Sequence, residues 1–209
     1  MRITVIGSGY VGLVSGACFS RFGHTVTCVD KDAEKIARLA RGEIPIYEPG
    51  LDALVSENLA AGRLAFTTDT AAAVDGAEVV FIAVGTPASR RSDGYADLTY
   101  VYEAAAQIAP HIRAYTVIAN KSTVPVGTAR QVAHIAAQAN PAADFDVASN
   151  PEFLREGAAI ADFQRPDRVV IGADSPRAAE VLKEVYRPLY INETPFVTTS
   201  HDPTGALAF

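Results

Sequence analysis

Met1-Arg2-Ile3-Thr4-Val5-Ile6-Gly7-Ser8-Gly9-Tyr10-Val11-Gly12 is the stretch on which the fold turns. Ile3–Ile6 is a short β-branched run suited to a buried strand, and Tyr10–Phe22 is an apolar run of helical length that Gly23 closes. Between them three glycines stand in the spacing Gly7-x-Gly9-x-x-Gly12. That spacing alone is a weak signal, but at a strand–helix junction it acquires a mechanism. Gly7 permits the tight turn, Gly9 lets a pyrophosphate approach the backbone, and Gly12 lets helix pack closely on strand. The first helical turn, through Tyr10 and Val11, directs free N–H groups and a partial positive charge at the anion.

Moving outward, Thr25–Val29 reads as a second strand, and Asp30 ends it 18 residues after Gly12. A carboxylate there accepts hydrogen bonds from adenosine ribose hydroxyls and repels a 2′-phosphate, which favours NAD over NADP. Lys31 and Lys35 soften that discrimination, and Lys35 joins the candidate cofactor-binding set. The opening βαβ unit is therefore expected to hold NAD.

The alternation continues along the chain. Helices are expected at about Asp32–Arg41 (capped by Asp32 and stopped by Gly42), Leu51–Ala60, Thr70–Val74, Leu98–Ile108, Val126 to about Gln138, and Arg177–Tyr186. Strands are expected at Leu64–Thr67, Val79–Val84, Thr116–Asn120, Phe145–Ala148, Val169–Ile171 and Phe196–Thr198, with a loop at Gly85–Tyr95. Strict strand–helix alternation implies βαβ crossovers. The fold class is therefore α/β, a Rossmann-type doubly wound, mostly parallel sheet with helices on both faces.

Bulk properties narrow the function. At 209 residues the chain can bury roughly 70% of its unfolded surface. A composition 49% hydrophobic and 20% charged is that of a globular protein, and a net charge of −6 offers no attraction for phosphate backbones. Nucleic-acid and membrane partners are not expected, and no metal site is read. The start moves directly into a strand without a signal-peptide pattern, so a cytoplasmic protein is expected. Cys18 and Cys28 fall in apolar segments, where free cysteines pack as small hydrophobes.

Four further segments are more specific: Ile44-Pro45-Ile46-Tyr47-Glu48-Pro49-Gly50-Leu51, Phe81-Ile82-Ala83-Val84-Gly85-Thr86-Pro87, Lys121-Ser122-Thr123-Val124-Pro125-Val126-Gly127-Thr128, and Ser149-Asn150-Pro151-Glu152-Phe153-Leu154-Arg155-Glu156-Gly157. With the Gly7–Gly12 loop they make the chain resemble the UDP-glucose/GDP-mannose dehydrogenase family, from Met1 to about Thr199. The resemblance implies a two-step, NAD-dependent oxidation of a sugar C6 hydroxyl through an enzyme thioester. It implies that Thr86 contacts the cofactor near its nicotinamide end and that Thr123 holds the water or substrate oxygen through which protons move. It also implies that Glu152, Phe153, Leu154, Arg155 and Glu156 lie against the substrate, with Glu156 also near the nicotinamide. Thr123, Glu152 and Glu156 are the catalytic candidates.

Plainer readings stand beside these. In a helix, Glu152 and Glu156 are four residues apart and share a face, a pair that an ordinary surface helix also carries. Thr123 reads equally as an N-cap for the helix near Val126. Tyr47 and Glu48 read as a rigid turn that merely supports the sheet.

Family members continue from the last strand into a long helix bearing a lysine and an asparagine, which also forms the dimer core. A second domain with the nucleophilic cysteine follows. Residues Ser200-His201-Asp202-Pro203-Thr204-Gly205-Ala206-Leu207-Ala208-Phe209 match neither. The expectation is an NAD-binding domain at 1–199 with a divergent tail at 200–209, able to bind NAD but catalytically incomplete alone. The substrate implied is UDP-glucose, oxidised to UDP-glucuronate, with GDP-mannose or a UDP-N-acetylhexosamine as alternatives. A non-catalytic NAD-binding module is the alternative of another class.

Overall fold

The computed structural model describes residues 1–87, 96–122, 124–125 and 127–199. In chain order the elements are β1 (Arg2–Ile6), α1 (Tyr10–Arg21), β2 (Thr25–Val29), α2 (Ala33–Ala40), α3 (Leu51–Ala60), β3 (Leu64–Thr67), α4 (Thr70–Val74), β4 (Val79–Ile82) and α5 (Thr99–Ile108). They continue with β5 (Thr116–Asn120), α6 (Thr128–Ala139), β6 (Phe145–Ser149), α7 (Ala159–Gln164), β7 (Val169–Gly172), α8 (Pro176–Val185) and β8 (Phe196–Thr199). Short 3₁₀ segments follow α5 and α8.

The strands form one sheet in the order β3-β2-β1-β4-β5-β6-β7-β8. The order reverses between β1 and β4, which pair in parallel from Ile3↔Val79 to Ile6↔Ile82. Their crossover connections leave in opposite directions, so a crevice opens past their carboxyl ends, the place where doubly wound sheets bind ligands.

Burial on both faces explains why the strands read as continuous apolar runs. Val5, Val79, Phe81, Val117 and Ala119 face a core closed by α1, α3, α7 and α8. Ile6, Val80, Ile82 and Ile118 face a second core under α4, α5 and α6. Helix α1 is buried almost all round, from Gly12 to Ser20, because it lies between the sheet and other helices rather than at the surface. Phe19, on that helix, stacks on Phe81 at 4.8 Å and meets Phe163 edge-on at 5.0 Å.

One pairing breaks the parallel pattern: β6 and β7 meet antiparallel at Ser149↔Gly172. The linking helix α7, which was not expected from sequence, has six residues. The chain re-enters the sheet from the carboxyl side, so that β7 runs opposite to β6. Residues 150–158 are left draped over that edge.

The same segment corrects the helical reading of Glu152 and Glu156. Residues 151–155 have no regular structure and 156–158 form a turn, so the two carboxylates do not share a helix face. Helix α6 starts at Thr128, later than Val126, and is capped by Gly127 in the left-handed region at φ 89. Asp32 caps α2 as expected, accepting from the Lys35 amide at 3.0 Å. Thr123, Val126, most of the loop expected at Gly85–Tyr95, and the tail at 200–209 lie outside the described residues.

Candidate functional site

The glycine loop joins β1 to α1 at the point where the strand order reverses. Gly7 has φ 101, and a Cβ there would stand 2.7 Å from the Ala83 carbonyl oxygen. A Cβ on Gly12 would stand 1.8 Å from the Gly7 carbonyl oxygen, closer than its 3.4 Å approach to the Ala83 side chain. The third glycine is thus required first by the turn itself and only secondarily by helix–strand packing. At Gly9, the N-cap of α1, a Cβ would meet no atom within 4 Å. Open space therefore lies over the helix N-terminus, flanked by Tyr10 and Val11, and the backbone there fits a dinucleotide pyrophosphate.

A crevice of about 450 Å³ extends from this loop along the carboxyl ends of β1, β2 and β4. Gly7, Gly9, Asp30 and Lys35 line one side. Tyr100, Glu103 and Gln107 of α5 line the other. The α5 residues carried no motif and were missed in sequence. Their helical spacing of three and four puts them on one face, which is the only hint the sequence offered.

Asp30 sits at the lip of this crevice. Its carboxylate accepts from the Ser8 amide at 2.9 Å, the Asp32 amide at 3.1 Å and the Lys35 ammonium at 2.7 Å. Burial alone would raise its pKa, but Lys35 and the two amides outweigh burial and hold it below the ordinary value. Asp30 is therefore a fixed carboxylate at neutral pH, held against the glycine loop by Ser8. Lys35 is engaged by Asp30. Lys31 lies 5.1 Å above the Tyr100 ring across the crevice.

A second hollow, also about 450 Å³, opens further along the same edge beyond β5 and β6. The Glu152–Arg155 segment forms one wall. Glu152 accepts from the Leu154 amide at 2.5 Å, which folds the segment on itself. Phe153 is 54% exposed, and Arg155 is anchored by bidentate hydrogen bonds to Asp162 at 2.7 and 3.1 Å. Glu156 is exposed at the turn before α7.

The floor of this hollow holds Lys121, which the sequence reading quoted but did not single out. It is 2% exposed. Its Nζ lies 5.6–5.8 Å from the ring centroids of Phe19, Phe81, Phe163 and Tyr186. It donates to Asn150 Oδ1 at 3.2 Å and lies 3.1 Å from the Tyr186 hydroxyl. That hydroxyl itself donates to Asn150 Oδ1 at 2.6 Å. Asn150 Nδ2 donates to the Val170 carbonyl at 2.9 Å. This buried cluster pins the ends of β5 and β6 to β7 and α8. Burial pushes the Lys121 pKa down to about 8, although the Glu152 charge acts in the opposite sense. A lysine closing the run Val117-Ile118-Ala119-Asn120-Lys121 was the available signal, since lysine is almost never fully buried without a partner.

Glu48 joins the two regions. It is 5% exposed and accepts from the Tyr10 hydroxyl at 2.5 Å, the Gly157 amide at 2.8 Å and the Ala159 amide at 2.9 Å. It does more than stiffen a turn, as the sequence reading had it. Thr86 lies half-buried in the loop after β4, next to the cofactor crevice, whereas Thr123 is outside the described residues. Cys18 and Cys28 are free and buried, and burial pushes both thiols up to about 12. Neither is available as a thiolate at neutral pH.

Among the described residues, no group of three His, Cys, Asp or Glu side chains is placed to hold a metal ion. No helix among them is long and apolar enough to cross a membrane.

Sheet order, glycine loop and the aspartate that follows β2 at the crevice together define a dinucleotide-binding α/β domain. The family model described as the NAD-binding domain of the UDP-glucose/GDP-mannose dehydrogenase family matches residues 1–190. The chain belongs to that family, and its cofactor is NAD. It is 63% identical to a UDP-glucose 6-dehydrogenase of Rhizobium meliloti (strain 1021), covering 96% of this chain and 46% of that protein. The solved GDP-mannose dehydrogenase from Pseudomonas aeruginosa superposes with a TM-score of 0.91 at 37% identity, covering 97% of this chain and 47% of that one. A UDP-glucose dehydrogenase from Pyrobaculum islandicum superposes with a TM-score of 0.89 at 42% identity, covering 95% and 46%. The chain thus spans under half the length of the relatives it matches.

Proposed function

We propose that the chain is the cofactor-binding part of an enzyme that oxidises UDP-glucose to UDP-glucuronate, and that by itself it binds NAD without turning the sugar over. The observation that carries this reading is the placement of the Glu152–Glu156 segment on the same sheet edge as the glycine loop, tied to Tyr10 through Glu48. The 63% identity favours UDP-glucose over GDP-mannose, for which the likeness is 37%.

Bound NAD supplies a hydride acceptor. The chain's own groups bind, orient and move protons. The α1 amino end, with Gly9, Tyr10, Val11 and Gly12, holds the pyrophosphate, and Asp30 with Lys35 holds the adenosine ribose. Thr86 contacts the cofactor near the nicotinamide. Thr123 and Glu152 handle the proton of the sugar hydroxyl or a water, and Glu156 borders both ligands. Phe153, Leu154 and Arg155 line the sugar nucleotide. The second oxidation of this family passes through a thiolate, and the only cysteines in these 209 residues are Cys18 and Cys28. Both are sealed in the core, so the nucleophile must come from elsewhere in the enzyme.

The test is calorimetric titration of the purified chain with NAD, followed by addition of UDP-glucose while reduced nicotinamide is monitored by absorbance. Binding without reduction is expected. No NAD binding by a folded chain would remove the reading altogether. Steady accumulation of reduced cofactor would show that Thr123, Glu152 and Glu156 suffice for the first oxidation.

A further inference from the structure

Glu48 is a buried carboxylate on a loop that belongs to neither ligand crevice, yet its oxygens are shared between the first residue of α1 and the turn that follows the Glu152–Glu156 segment. Oε2 takes the Tyr10 hydroxyl and the Gly157 amide. Oε1 takes the Ala159 amide, and the Ile160 amide also donates to the carboxylate. Tyr10 is the first residue of α1, where the pyrophosphate is read to sit. Gly157 directly follows Glu156, and Ala159 and Ile160 open α7. One side chain therefore ties the cofactor-side helix to the end of the substrate-side segment, across a sequence separation of 109 residues.

The chemistry is demanding. Burial alone would raise the Glu48 pKa, but the tyrosine hydroxyl and the three amides outweigh burial and hold it below the ordinary value. The charged form is the one that can accept four donors. Glutamine in its place would turn one acceptor into a donor facing backbone N–H groups, leaving buried donors unmatched.

We propose that Glu48 is a positioning residue that couples the two crevices, so that NAD bound at the α1 amino end stiffens the Glu156–Ile160 turn through the Tyr10–Glu48 bond. The proposal rests on the NAD site given above. A pyrophosphate held on the first amides of α1 fixes the Tyr10 backbone. A fixed Tyr10 hydroxyl fixes Glu48, and Glu48 fixes the amides after Glu156. In this way the presence of cofactor organises the carboxylate that borders both ligands.

The experiment is residue-resolved amide hydrogen exchange on the chain with and without saturating NAD, for the native protein, Tyr10→Phe and Glu48→Gln, with each saturating concentration set by that protein's own calorimetric titration. In the native chain NAD should slow exchange at Gly157, Ala159 and Ile160 by about fivefold or more, the lower end of ordinary inter-site coupling. Tyr10→Phe keeps the three amide bonds to Glu48, so its turn should be protected without NAD but gain nothing from it. Glu48→Gln should lose protection there in both conditions. Amides of β1, β4 and β5 report that each variant is folded. A merely structural Glu48 would predict the same NAD-induced gain in Tyr10→Phe as in the native chain, and that result overturns the proposal. NAD binding to the native chain with no change at 157–160 also overturns it and leaves the NAD site standing. Absence of NAD binding to the native chain removes both.

Discussion

Replacing Lys121 with methionine keeps the length of the side chain and removes its charge from the aromatic box of Phe19, Phe81, Phe163 and Tyr186. Burial lowers the lysine pKa from 10.5 to about 8, a displacement of about 2.5 units. At about 1.4 kcal/mol per unit, the folded state holds the ammonium at a cost of about 3 kcal/mol relative to the unfolded chain. The sign follows from proton counting. Between pH 8 and 10.5 the unfolded state binds more protons than the folded one, so stability rises with pH through that window. It is lost again as pH falls through 8. Cys18 and Cys28, whose thiols stay protonated to about 12 in the fold, act in the opposite sense at alkaline pH in both proteins, and the Lys121 charge, which lowers the Cys18 thiol against the larger effect of burial, is absent from the variant.

The measurement is urea unfolding followed by circular dichroism from pH 7 to 9.5, native chain against Lys121→Met. Across that range the native chain should gain about 2 kcal/mol on the variant, the portion of the linkage reached by pH 9.5. The relative shift in urea midpoint is then about 1 M. At pH 7 the variant should be no less stable than the native chain, because Asn150 Oδ1 still receives the Tyr186 hydroxyl at 2.6 Å and no buried acceptor is orphaned. A difference that stays flat from pH 7 to 9.5 refutes the reasoning. It would mean that the four rings stabilise the ammonium enough to cancel its desolvation.

Other consequences are more direct. Gly12→Ala sets a methyl carbon 1.8 Å from the Gly7 carbonyl oxygen, so it should cost at least about 1–3 kcal/mol and abolish detectable NAD binding; a normal calorimetric titration would contradict the loop geometry. Asp30→Ala should weaken NAD by about tenfold, the scale of a lost hydrogen bond to a charged group, and leave Lys35 facing the ribose. Its NADP affinity should hold or rise, and parallel titrations with the two cofactors decide the matter. Both cysteines should resist a thiol-specific chromogenic reagent at pH 8 in the native chain and react fully in urea, since each is buried with its pKa pushed up to about 12. Rapid labelling of either in the folded chain would reopen the question of a nucleophile within these residues.

The sequence by itself determined the cofactor half of this protein. The Gly7–Gly12 loop and Asp30 are legible because their roles are local: a turn, a helix start and a strand end each require particular residue types at fixed offsets. The sheet and most helix boundaries follow from apolar runs of two lengths, and they agree with the structure to within a residue or two at most ends. The second region was less legible for a geometric reason. The chain turns back into the sheet antiparallel at β7, residues 150–158 lie at the sheet edge without regular structure, and an i,i+4 reading of Glu152 and Glu156 had no helix to stand on. Lys121 and Glu48 show the same limit. What each does depends on partners far away in sequence, Tyr186 at a separation of 65 and Gly157 at a separation of 109. A motif can mark such residues as unusual. Only packing decides that one is an ammonium in an aromatic box and the other a carboxylate shared by α1 and the turn before α7, because burial and hydrogen-bond partners are properties of the assembled sheet and helices, not of any local stretch of chain.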